Sequence, residues 1–126
     1  IAQVTDLAST INELKAKNLL HDTVVLMFGA NSAFTKGQLE RELKRIGMEK
    51  QIFLVTTTTS KTWRDDVNAV YEAISEKYSN VHVLDWNEYS KDQDWFYSHK
   101  SYVTEVGAHE EALFFAKKIY ETLRGN

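Results

Sequence analysis

The stretch Thr23 to Thr35, TVVLMFGANSAFT, limits the fold more than any other part of this sequence. Val24 to Phe28 form an unbroken apolar run, greasy on both faces of an extended chain, and the run stops at Gly29, Ala30, Asn31 and Ser32. This pattern predicts a buried strand that opens onto a loop at its carboxyl end. In open parallel sheets ligands bind at the carboxyl ends of strands, where the loops diverge and leave a crevice. Chemistry is therefore expected first at Gly29 to Ser32. Spacing alone favours a plainer reading, in which Gly29 and Asn31 only turn the chain, since both residue types tolerate the angles of a tight turn.

The rest of the chain alternates around this strand. Ile1, Val4, Leu7, Ile11 and Leu14 recur at helical spacing, which predicts a helix to about Lys17. Thr35 with Gln38 three residues later has the form of a capping box; Leu39, Leu43 and Ile46 then give a buried stripe that Gly47 ends. Gln51 to Thr58 predicts a second buried strand with a polar tail, Thr56 to Ser60. Trp63, Val67, Val70, Tyr71, Ile74 and Tyr78 mark a third helix, and Val81 to Trp86 a short strand. Asn87 to Val103 reads as a long irregular segment, functional or disordered by its length. Its Trp95, Phe96, Tyr97 and Tyr102 argue for packing rather than disorder. A last helix begins near Thr104 and carries Leu113, Phe114, Ala116, Ile119, Tyr120 and Leu123.

Helices alternating with strands imply a parallel sheet inside a three-layer α/β sandwich. The 126 residues suit a single domain, residues 1–126, with a core that needs no staples. There is no cysteine, hence neither a disulfide framework nor a thiolate metal site, and no His/carboxylate pair has metal-ligand spacing. No metal or cofactor is expected. The net charge of −3, with cations and anions interspersed, disfavours a nucleic-acid partner. No apolar run is long enough to cross a bilayer. Ile1 falls inside an amphipathic pattern without a cap, and an apolar strand left at a sheet edge is an aggregation hazard. Both features predict that this is the carboxyl-terminal part of a longer domain or protein.

Several of these segments together carry a resemblance. LKAKNLLHDTVVLMFGANSAFT, Trp63 with Asn68, the strand ending at Asp85 and Trp86, the pair Trp95 and Phe96, and the helix start Thr104 to Ala108 follow one family's order and spacing. The chain resembles the SGNH hydrolase-like extracytoplasmic domain of membrane-bound acyltransferases of the peptidoglycan O-acetyltransferase type. The resemblance covers about the carboxyl-terminal three quarters of that domain. It implies an SGNH-hydrolase or flavodoxin-like fold whose first strand or strands lie outside this chain. It further implies transfer of an acyl group through a serine ester, with cell-wall glycan and an acyl donor as partners, a membrane acyltransferase domain in the full-length protein, and an extracytoplasmic location. In that family a Gly-Asp-Ser turn supplies the nucleophile and an Asp-x-x-His pair activates it. Asn31 takes the place of the oxyanion asparagine and Gly29 that of the glycine two positions before it; one such donor is worth ~3 kcal/mol.

The departures are specific. WFYSHKSYVTEVGA places His99 at the family's aspartate and Tyr102 at its histidine. A phenol with its usual pKa of ~10 does not take a proton from serine at neutral pH as imidazole does. Ala30 and Ser32 replace the threonine and glycine that flank the asparagine. His99 is the one candidate substitute base; His21, His82 and His109 read as surface or packed residues, and Asp92 and Asp94 as solvated. Three readings follow. The first is an SGNH-like domain of O-acyltransferase type that is catalytically degenerate, with a binding or scaffolding role. The second is an active O-acetyltransferase or esterase whose serine lies upstream of Ile1. The third is a non-enzymatic flavodoxin-like binding module, which Gly29 to Ser32 serves poorly because it is too short and glycine-poor to wrap a phosphate.

Overall fold

The computed structural model describes residues 7–18, 21–29, 32–98, 100 and 102–124. Its elements run α1 (Leu7–Ala16), β1 (Thr23–Met27), α2 (Lys36–Ile46), β2 (Gln51–Val55), α3 (Arg64–Lys77), β3 (Val81–Leu84), α4 (Trp86–Ser90) and α5 (Glu105–Leu123). The strands form one parallel sheet in the order β1-β2-β3, with Val25 opposite Phe53 and Phe53 opposite His82.

Side chains alternate across this sheet. Leu26, Ile52, Leu54 and Val81 face Ile11 of α1, Leu39, Leu43 and Ile46 of α2, and Val67, Tyr71 and Ile74 of α3 in the larger core cluster. On the other face Phe53, Val55 and Leu84 pack with Trp86 and Phe114. Trp95, Phe96, Val103, Phe115 and Ile119 flank this second cluster. The result is the expected three-layer α/β sandwich with a parallel sheet, consistent with a flavodoxin- or SGNH-like fold.

Local chemistry sets the boundaries. The Thr35 hydroxyl accepts from the Gln38 N–H at 3.2 Å and the Gln38 side chain accepts from the Thr35 N–H at 2.8 Å, closing the capping box of α2. Gly47, at φ 122°, ends that helix with its N–H on the Leu43 carbonyl. Asp65 and Asp66 in the first turn of α3 favour its positive end. Thr104 caps α5 by accepting from the Gly107 N–H at 3.2 Å.

Two expectations are corrected. β1 is buried on one face only: Val25 and Met27 are 41% and 45% exposed. The reason is topological, because β1 is an edge among the described strands and α5 lies over β2 and β3 instead. The segment after β3 is not wholly irregular. Asp85 ends the strand and caps α4, accepting from the Glu88 N–H at 3.3 Å, and Phe96 and Val103 form an antiparallel bridge. Trp95 and Phe96 pack as expected, whereas Tyr97 and Tyr102 are 62% and 58% exposed. The contact between the two is through the backbone, the Tyr97 N–H donating to the Tyr102 carbonyl at 3.0 Å.

Candidate functional site

The carboxyl ends of β1 and β2 frame a crevice of about 40 Å³. Three sets of fixed contacts build it, each anchored by a polar side chain that the sequence brings from a distance.

The first set shapes the turn after β1. The Tyr71 hydroxyl donates to the Phe28 carbonyl at 2.6 Å, and the Trp63 ring N–H donates to the Gly29 carbonyl at 2.8 Å. Both come from the start and middle of α3, so the helix dictates where the strand leaves the sheet. Gly29 is required here twice over. Its φ is +105°, and a Cβ would stand 2.9 Å from Val67 Cγ1. Burial pushes the Tyr71 phenol well above its ordinary range, so it stays a neutral donor.

The second set holds the tail of β2. Asn68 accepts from the Thr57 N–H at 2.8 Å and donates to the Thr57 carbonyl at 3.0 Å, which copies one rung of strand pairing. The Thr56 hydroxyl donates to Asp85 at 3.0 Å and accepts from the Asn87 N–H at 2.8 Å. Asp85 therefore joins the ends of β2 and β3 while capping α4.

The third set seats the loop between α4 and α5. The Thr104 N–H donates to the Trp95 carbonyl at 2.7 Å, and the Thr58 hydroxyl donates to the Lys100 carbonyl. Trp95 stacks on Trp86 with ring centres 5.6 Å apart. Gly107 makes this possible, since a Cβ there would lie 2.2 Å from the Trp95 carbonyl oxygen.

Met27, Phe28, Phe96 and Val103 give the crevice apolar walls, and Thr57 and Thr58 are its polar side. Among the described lining residues Glu111 is the sole titratable one. It is half-buried, has no hydrogen-bond or ion-pair partner among the described residues, and burial raises its carboxyl above the ordinary value. Glu111 is not among the residues that the sequence singles out. The signal was its spacing: four residues after Gly107 and three before Phe114, both buried, so it shares their face of α5.

Of the expected site residues, Gly29 sits directly after Phe28 at the crevice, while Asn31 and His99 lie outside the described residues. Tyr102 does not line the crevice and its ring is exposed. His82 packs on Phe53 at 4.9 Å with a ring nitrogen 2.7 Å from the Gln51 side-chain oxygen, and burial lowers its pKa; it is a packed histidine. His21, His109, Asp92 and Asp94 are exposed. A separate recess of about 250 Å³ includes Asp65, Glu72, Asp85 and Glu88. Burial and the charges of Asp85 and Glu76 push the Glu72 carboxyl up there.

No family model matches the chain. Among curated proteins it is 34% identical over 90 residues to a protein of Staphylococcus aureus strain MSSA476 that bears the provisional name O-acetyltransferase; the match covers 71% of this chain and 14% of that protein. It is also 34% identical over 88 residues to the O-acetyltransferase OatA of Staphylococcus aureus strain NCTC 8325, covering 70% of this chain and 13% of OatA. The chain thus spans only a small part of the length of the curated relatives it matches. Over that part, the chain is homologous to O-acetyltransferases of the OatA type.

Proposed function

We propose that this chain is part of an SGNH-like domain of an O-acyltransferase-type protein which has kept the crevice at its strand ends, lost the groups that drive acyl transfer, and acts there as a binding module. The observation that carries this reading is the position of Tyr102, which stands where the resemblance expects the activating histidine. Its ring is 58% exposed, and its backbone carbonyl rather than its hydroxyl makes the contact to Tyr97. A general base must come within about 2.6–3.2 Å of the proton it takes. A phenol in solvent outside the crevice does not meet that condition.

The domain is completed by a strand on the free edge of β1, supplied by sequence outside these residues. The edge position of an apolar β1 among the described strands supports this, as does a match that covers 14% of its relative. Cell-wall glycan or an acyl donor is the partner that fits such relatives, in a protein that also carries a membrane acyltransferase domain and works on the extracytoplasmic face of a bacterial membrane. The test is ester hydrolysis by the purified full-length protein. The expected result is no release of nitrophenolate from p-nitrophenyl acetate above the buffer rate. Turnover that Asn31→Ala abolishes would overturn the proposal in favour of an active enzyme with its serine upstream of Ile1.

A further inference from the structure

Glu111 is a half-buried carboxyl on the wall of the crevice. A carboxylate taken from water into apolar surroundings is costly unless it is paired, and Glu111 has no partner among the described residues. The lining contains no Lys or Arg among the described residues. The helix that carries it is held in place. α5 is fixed at its start by the Thr104 cap and by the close approach of Gly107 to Trp95, and Phe114, one turn further on, is buried among Trp86 and Tyr89.

The complement of such a wall is a cation. A charge-assisted hydrogen bond is about twice as strong as a neutral one. Phe28, Trp86 and Phe96 also line the crevice, and aromatic rings are partners for positive charge. Size narrows the choice. One water needs ~10–15 Å³ on the measure by which this crevice has room for only a few heavy atoms. We propose that the crevice binds a primary alkylammonium group, the charge held by the Glu111 carboxylate and the short carbon stem held by Met27, Phe96 and Val103. This rests on the crevice being a ligand site, as under the proposed function, and requires no acyl chemistry.

Ethylammonium chloride is the probe, titrated into the 15N-labelled protein against sodium chloride at matched ionic strength, with ethanol and sodium propionate as neutral and anionic counterparts. Saturable amide shifts at Thr57, Thr58, Val103 and Glu111 are expected with ethylammonium alone. Glu111→Gln weakens binding tenfold or more, and Glu111→Asp, which keeps the charge but shortens its reach, weakens it less. Equal responses to ethanol, or a Glu111→Gln variant that binds ethylammonium like the parent, would overturn the assignment. No saturable response to any probe would also overturn it. Ester hydrolysis by the full-length protein bears on the proposed loss of chemistry and leaves the ammonium result untouched; a failed titration removes the Glu111 assignment and leaves the homology untouched.

Discussion

At the scale of single residues, the crevice is held by polar side chains that clamp strand ends. Tyr71, Trp63, Asn68 and Asp85 each bond a backbone or hydroxyl group at the carboxyl edge of the sheet. Trp63, Asn68 and Asp85 were visible in the sequence as parts of a resemblance, but their roles were not, because a clamp is defined by its partner. Tyr71 was read as core, and its ring is core; its hydroxyl does the more specific work. Tyr71→Phe keeps the ring and strands a buried carbonyl at Phe28, a loss of about 1–3 kcal/mol. Urea unfolding monitored by circular dichroism should show the midpoint falling with an unchanged slope. An unaltered midpoint would mean that water replaces the hydroxyl and that the turn does not depend on it.

At the scale of elements, α5 decides where the loop from Trp95 to Val103 sits. The helix begins where Thr104 turns back on the Trp95 carbonyl, and Gly107 lets the two backbones touch. Gly107→Ala would raise intrinsic helix propensity by roughly 1 kcal/mol, yet it inserts a methyl group where there is no room. Overpacking of that kind costs about 1–3 kcal/mol, so the net change is expected to be destabilising. The check is thermal unfolding together with tryptophan emission. A lower midpoint and altered emission, as Trp95 loses its stack on Trp86, are expected; a stabilised variant with unchanged emission would show that the loop yields freely. The same helix explains the one acidic group among the described residues that line the crevice, since the half-buried Glu111 lies on the face that Gly107 and Phe114 define.

At the scale of the whole molecule, the sheet is covered unevenly. One face is closed by α1, α2 and α3, while on the other α5 spans β2 and β3 and leaves Val25 and Met27 half-exposed. α5 itself shows Val106, Leu113 and Tyr120, spaced by seven residues, to solvent. An apolar edge strand invites pairing, and a lysine on it blunts that tendency. The chain is therefore expected to self-associate in sedimentation velocity, and Val25→Lys to shift it toward monomer. Identical sedimentation of parent and variant would place any association elsewhere.

The order of helices and strands apart from α4, the capping box at Thr35 and Gln38, the stop at Gly47 and the α/β class were legible in the sequence, because apolar periodicity and cap chemistry act over a few residues. What stood beyond its reach was set by contacts across tens of residues. An apolar run such as Val24 to Phe28 states that a strand can be buried, but only the sheet order and the position of α5 decide how many of its faces are. Likewise a glutamate beside another glutamate reads as surface until the packing of α5 sets Glu111 half-buried at the strand ends, where burial raises its carboxyl above the ordinary value.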